Sequence, residues 1–181
     1  MMSDEMVGKK MVEREQLDQF LEANEYVTGQ RLELVRSGEH PDFICARTDG
    51  ALVGVELTRG EGDVKIMELK QRDHGEPDFG YSALDDVYCS IDEKERLRQG
   101  DWTLPDKSIL VVQMFFHRIE EIGSFLTPDL QPDFESYGFA EIWLADYTTV
   151  EPYGGVELFG LKPVKWWGYH PREDFPGKPY G

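Results

Sequence analysis

Residues 40–58, which read HPDFICARTDGALVGVELT, decide the fold of this chain. Apolar and polar residues alternate on both sides of Asp49-Gly50, and Asp-Gly between two such runs is a strong signal for a β-hairpin. The stretch therefore predicts two antiparallel strands, one over 42–47 and the other over 51–58.

The length of the hairpin loop decides whether Asp42 and Glu56 can form a site. A two-residue loop would pair Asp42 with Leu57, and the two carboxylates would then point to opposite faces of the sheet. A three-residue loop, with Gly50 in the left-handed region, pairs Asp42 with Glu56 and places both on one face. We predict the three-residue register.

Two carboxylates on one small patch are a natural site for a divalent cation. Mg²⁺ and Mn²⁺ prefer hard oxygen ligands and keep several of their waters. A cation held by Asp42 and Glu56 could polarise a phosphoryl group and activate a water. The pair therefore predicts a Mg²⁺ or Mn²⁺ site suited to phosphoryl chemistry.

Further elements surround the hairpin on both sides. Apolar spacing predicts a helix over 9–24 and a strand over 31–36 before it. After it, a helix opens at Ser82 and stops near Gly100, and the apolar run 108–116 is typical of a central buried strand. This order predicts an α/β protein with a mixed central sheet flanked by helices. The remaining predicted elements are a short helix at 63–72, a loop at 74–80, a helical stretch at 117–126 and a strand at 139–147.

The order helix, three strands, helix, strand over 9–116 resembles the PD-(D/E)xK nuclease superfamily, which has the restriction-endonuclease-like fold. Pro41-Asp42 resembles its PD element, and the Glu-Leu-Thr triplet at 56–58 resembles its (D/E)xK element. The resemblance implies that Asp42 and Glu56 hold the metal and that a lysine positions or activates the attacking water. It also implies metal-dependent hydrolysis of phosphodiester bonds in DNA or RNA.

The chain departs from the family motif at its last position, where Thr58 replaces the lysine. In some branches of the superfamily the lysine has moved to the following helix, and Lys94 is the candidate here. Lys94 lies three residues from both Ile91 and Leu97, so it continues the apolar face of its helix. Thr58 could then donate a hydrogen bond near the metal-bound water. Alternatively, Lys94 lies in a run of charges and forms ion pairs on a solvated face.

Members of the superfamily often carry an acid on the first helix, and Glu13 is the candidate in this chain. It shares the helix face of Leu17 and Phe20, while Glu15 and Glu22 on the same helix compete for the role. The predicted catalytic set is therefore Asp42, Glu56, Thr58, Lys94 and Glu13.

The charge of the chain favours a second interpretation. The 181 residues carry a net charge of −17, from 36 acidic and 19 basic residues. Such a chain repels nucleic acid and anionic membranes as a whole, because phosphate contacts come from Lys and Arg. An active nuclease would need a local basic or aromatic surface. An inactive relative could instead bind a basic protein, as an immunity protein or antitoxin does, or mimic nucleic acid.

The segment 151–181 is neutral and rich in Pro, Gly and aromatic residues. We predict that it is an irregular extension of a single domain, 1–181, whose core lies at about 9–147. Its run Trp-Trp-Gly-Tyr-His at 166–170 either stacks nucleic-acid bases or packs on the core. A third possibility is a structural subunit whose aromatic tail forms a homodimer contact.

Cysteine usage and hydropathy bear on the setting of the protein. Two isolated cysteines, no apolar leader and no apolar run near the ~20 residues of a membrane span predict a reducing, cytoplasmic setting without membrane contact. Cys45 lies inside a predicted strand and is expected to be a small core residue. The four histidines have no metal-ligand spacing and are expected in loops or on the surface, although His40 could approach Asp42.

Overall fold

Seven strands in the computed structural model form one mixed sheet with helices on both faces, within the described residues 3–61 and 79–178. The α/β class predicted from the sequence is therefore confirmed. The strands lie side by side in chain order: β1 (Leu32–Ser37), β2 (Phe43–Arg47), β3 (Leu52–Arg59), β4 (Ser108–Met114), β5 (Glu141–Asp146), β6 (Glu157–Lys162) and β7 (Gly168–His170). The helices are α1 (Asp4–Thr28), α2 (Phe79–Arg98), α3 (Ile119–Gly123), α4 (Gln131–Glu135) and α5 (Val150–Tyr153).

The β2–β3 hairpin has the three-residue loop that was predicted. Phe43 pairs with Val55 and Ile44 pairs with Gly54. Gly50 adopts a φ of 86°, in the left-handed region that glycine enters without steric cost. Because this register is fixed, the residues of each strand that face a given side of the sheet are fixed as well.

The middle of the sheet, from β3 to β5, is parallel. The strands β3, β4 and β5 run in the same direction, and α2 lies in the crossover between β3 and β4 that a parallel pair requires. The whole of β4 is buried, as its apolar run predicted. Since β2 is antiparallel to β3, the start of β2 lies toward the edge of the sheet where β3, β4 and β5 end.

Two apolar layers cover opposite faces of the sheet. On one face, Leu17 of α1 packs in the same buried cluster as Val55 of β3. On the other face, Ile91 of α2 packs in a cluster with Leu110 of β4. Side chains alternate along a strand, so Glu56 lies on the α2 side of the sheet.

The first helix is longer at both ends than the predicted 9–24. Ser3 caps its start by accepting a hydrogen bond from the Met6 N–H at 3.2 Å, and Gly29 ends it with a φ of 72°. The caps lie outside the apolar pattern, because buried residues of α1 begin only at Leu17. Apolar spacing therefore located the packed part of the helix and missed its exposed start.

The prediction of an irregular C-terminal extension is wrong. Strands β6 and β7 continue the central sheet, with Leu158 paired to Ala145 and Phe159 paired to Tyr169. Trp167 packs on Phe159, with ring centroids 5.5 Å apart. The two short strands were missed because the segment is rich in Pro and Gly. Of the two interpretations of the aromatic run, the structure supports packing on the core.

The remaining comparisons concern the second helix, the segment before it and the two cysteines. The second helix begins at Phe79, so Ser82 lies inside it and residues 79 and 80 are helical rather than loop. The predicted helix at 63–72 and residues 74–78 of the predicted loop lie outside the described residues. Cys45 is fully buried in β2 as expected, and Cys89 is an exposed free thiol.

Candidate functional site

Asp42 and Glu56 lie side by side where β2 begins. The ladder pairs Phe43 with Val55, and the next position brings Asp42 beside Glu56. The N–H of Asp42 donates to Glu56 Oε1 at 2.9 Å, and the N–H of Leu57 donates to Asp42 Oδ2 at 2.9 Å. The register therefore places two carboxylates on one small patch.

The acid pair is buried and electrostatically unfavourable. The Glu56 side chain is only 1% exposed. Burial, followed by the negative charge of Glu56, raises the pKa of Asp42 to about 7, although the Leu57 N–H and Lys94 act in the opposite direction. Near neutral pH the pair is therefore stabilised either by a proton on one carboxylate or by a bound cation that offsets the two negative charges.

Lys94 reaches this pair from α2. Its Nζ donates to Glu56 Oε2 at 2.8 Å, and its side chain is 19% exposed. The buried Ile91, one turn earlier, anchors the same helix face against the sheet. The geometry proposed for Lys94 from its spacing is confirmed, and a fully solvated lysine is not what the structure contains. Its role in catalysis stays a prediction.

The other two predicted residues, Thr58 and Glu13, lie on opposite faces of the sheet. Thr58 follows Glu56 by two positions on β3, so it lies on the same face and is partly buried. Glu13 lies on α1, which packs on the opposite face, and its ion-pair partner is Lys9 at 3.9 Å. The structure therefore does not bring Glu13 to the acid pair, because the helix face that it shares with Leu17 belongs to the other layer.

His40 and Trp102 stand next to the pair, and the sequence pointed to only the first of them. His40 Nδ1 lies 3.8 Å from Glu56 Oε2, and its side chain is 47% exposed. The imidazole stacks on the Trp102 indole, with centroids 5.3 Å apart and an angle of 20° between the rings. Trp102 lies 62 positions after His40 in an irregular stretch with no local motif, so the fold alone reveals this contact.

The donor set at the pair can be compared with the needs of a cation. Among the described residues, no group of three or more His, Cys, Asp and Glu side chains is placed to hold a metal. Mg²⁺ is commonly bound through one or two carboxylates, with waters and substrate phosphates as the other ligands. Two hard oxygen donors on one face fit that mode of binding and do not fit an all-protein cage.

A buried acid–histidine pair at a different place in the fold was not foreseen. Glu61 Oε2 lies 2.8 Å from His117 Nδ1, and the carboxylate also accepts the N–H groups of Phe115, Phe116 and His117. This bond to Glu61, acting against desolvation, raises the pKa of His117. His117 lies in the loop that follows β4, which agrees with its prediction as a loop or surface residue, but it is buried, with only 6% exposure. The two residues are 56 positions apart, which leaves no local signal for the pair.

A comparison of the chain with models of known protein families, with curated proteins and with solved structures finds no match. In the described part of the chain, no helix combines the length and the apolar character needed to cross a bilayer. The functional argument therefore rests on the geometry of Asp42, Glu56 and Lys94.

Proposed function

We propose that this protein is a metal-dependent nuclease that hydrolyses phosphodiester bonds in nucleic acid. The observation that carries the proposal is the 2.8 Å contact between Lys94 Nζ and Glu56 Oε2. It supplies from α2 the lysine that the motif lacks at Thr58. The order α1, β1 to β3, α2, β4 also supports the resemblance to the restriction-endonuclease-like core.

The side chains of the site have separable roles in this proposal. Asp42 and Glu56 would hold Mg²⁺ or Mn²⁺, which would supply Lewis-acid activation of the phosphoryl group and of a water. Lys94 is tethered at Glu56, where its ammonium orients the attacking water and offsets negative charge developing on the phosphoryl oxygens. Thr58, on the same face, offers a hydroxyl donor. Glu13 has no part in this set.

Metal binding tests the proposal without a guess about sequence specificity. We expect a calorimetric Mn²⁺ titration to show specific binding to the wild-type chain and none to Asp42→Ala/Glu56→Ala. The matched control is Asp106→Ala, since the Asp106 side chain is 89% exposed and outside the site. Equal titrations of the wild type and the double variant, with and without added oligonucleotide, would contradict the proposal.

Hydrolysis is the second readout. Single-stranded and duplex DNA and RNA incubated with Mg²⁺ or Mn²⁺ should be cleaved by the wild type. Lys94→Met should lose the cleavage while retaining metal binding, because its side chain serves the water rather than the cation. Loss of both properties together would make Lys94 a structural partner of Glu56 only.

One observation favours an alternative function. Both oxygens of Glu56 already accept hydrogen bonds within the chain, one from the Asp42 N–H and one from Lys94. A site satisfied in this way, in a chain with a net charge of −17, also suits an inactive acidic protein that binds a basic partner. Absence of Mn²⁺ binding and of cleavage would favour this function.

A further inference from the structure

A cavity of about 340 Å³ opens beside the acid pair. The buried Ile44 lines it, together with His40 and Arg36 and the acidic side chains of Glu39 and Asp101. His40 connects the cavity to the candidate site, because it lines the first and lies 3.8 Å from Glu56 in the second. A ligand group that fills the cavity would therefore lie next to the candidate site.

His40, which lines the cavity, is stacked on the rigidly held indole of Trp102. Trp102 is 7% exposed, its Nε1–H donates to Ser108 Oγ at 3.1 Å, and its ring meets Phe139 edge-on. His40 stacks on this indole, and its carbonyl accepts the Thr103 N–H at 3.0 Å. One face of the imidazole is thus held by the protein, and the half-exposed side chain presents the remaining ring surface for another planar group.

A β-bulge brings a positive charge to the same cavity. Leu34 pairs with Cys45, but the next pair is Arg36 with Ile44, so Val35 is an extra residue in β1. Without this residue, Arg36 would point to the α1 side of the sheet together with Leu34. The bulge turns Arg36 onto the face of Ile44, and bulges re-aim side chains in this way next to functional sites.

We propose that this cavity binds one unpaired nucleobase of the substrate, stacked on His40, with Arg36 at a neighbouring phosphate. The carboxylates of Glu39 and Asp101 can accept hydrogen bonds from amino groups on the base edge. The inference rests on the proposed nuclease function and names its substrate class as single-stranded or locally unpaired nucleic acid. Bases in a duplex are paired and stacked, so they enter such a cavity only after unstacking.

Binding measured apart from cleavage tests the inference. The full chain carrying Asp42→Asn is titrated into fluorescein-labelled single-stranded and duplex oligonucleotides of DNA and of RNA, with fluorescence anisotropy as the readout. We expect the single strands to bind more tightly than the duplexes. His40→Ala in this background should weaken single-strand binding roughly tenfold, as loss of one base-stacking contact does, and leave duplex binding unchanged.

His40→Phe separates stacking from every other property of the imidazole. It keeps a planar ring, so we expect it to retain single-strand affinity within about twofold, a difference well below one stacking contact. Phe116→Ala is the matched control, because this aromatic side chain is 55% exposed and does not line the cavity. Near-ultraviolet circular dichroism checks that each variant keeps its aromatic packing.

The outcomes separate the inference from the proposed function. If His40→Ala binds single strands as well as the parent, or if duplexes bind equally well, the base site is overturned even when Mn²⁺ binding and cleavage are present. If single-strand binding depends on an aromatic ring at position 40 while Mn²⁺ binding and cleavage are absent, the base site stands and the nuclease function fails.

Discussion

Replacing Asp42 with asparagine should stabilise the protein in the absence of metal. Asparagine has nearly the same shape, and its carbonyl oxygen can still accept the Leu57 N–H, but it removes one of two buried negative charges. In the folded protein the pKa of Asp42 is about 7, against 3.8 as its ordinary value. At about 1.36 kcal/mol for each unit, the ionised Asp42 costs about 4 kcal/mol of unfolding free energy above neutral pH.

The pH dependence of this effect has a definite sign. The folded state binds the Asp42 proton more tightly than the unfolded state, so the cost is absent below about pH 4 and grows as the pH rises toward 7. We expect the stability advantage of Asp42→Asn over the wild type to increase by about 3 kcal/mol between about pH 5 and about pH 8.

Urea unfolding followed by tryptophan fluorescence, with a chelator present, measures this difference at each pH. Asp106→Asn is the control, since that side chain is 89% exposed and its charge should matter by less than about 1 kcal/mol at either pH. An Asp42→Asn variant that is less stable than the wild type at about pH 8, or a difference that does not change with pH, would refute the reasoning.

Three further predictions concern packing and charge elsewhere. Lys94→Met leaves the Glu56 carboxylate buried without its cation and should lower the unfolding free energy by about 3 kcal/mol at neutral pH. Adding Glu56→Gln should recover part of this loss in the same urea assay, and equal stability of the single variant and wild type would contradict the pairing. The raised pKa of His117 means that its bond to Glu61 contributes fully below the ordinary value of 6.5 and is lost as the pH rises through the folded pKa. His117→Gln should therefore cost more stability at about pH 5 than at about pH 9, and a cost that grows with pH would exclude this pair as its cause. Trp167→Ala should lower the unfolding free energy by about 2 kcal/mol or more, because its ring packs on Phe159 of β6. Thermal denaturation measures this loss, and an unchanged melting temperature would show that this aromatic contact does not stabilise the fold.

Local chemistry made the centre of the fold predictable. Gly50 permits the left-handed turn of a three-residue loop, and the loop fixes which residues of β2 and β3 are opposite each other. The spacing of Lys94 from Ile91 placed its side chain on the apolar face of α2, toward the sheet. Both inferences depend on residues within one hairpin or one helix, where periodicity determines direction.

Contacts between distant segments escaped the same reasoning. Glu61 and His117 meet only because β3 and β4 end at the same edge of the sheet, and Trp102 meets His40 across a gap of 62 positions. The bulge at Val35 could not be predicted from the apolar–polar alternation of β1, because a bulge is defined by how β1 pairs with β2. The error for Glu13 has a different cause. The helix face that it shares with Leu17 was assigned correctly, but this face of α1 covers the side of the sheet opposite Glu56.

The energetics of the acid pair, taken together with metal binding, distinguish the two functions proposed for the protein. A carboxylate at position 42 disfavours folding near neutral pH, whereas an asparagine could keep the bond from the Leu57 N–H without adding charge. A protein that used this patch only to hold β2 against β3 would gain stability from the amide. A protein that binds a divalent cation there needs the second negative charge, since hard cations select charged oxygen ligands. Stabilisation of Asp42→Asn together with loss of Mn²⁺ binding would therefore favour the nuclease, whereas stabilisation without any difference in metal binding would favour the inactive acidic protein.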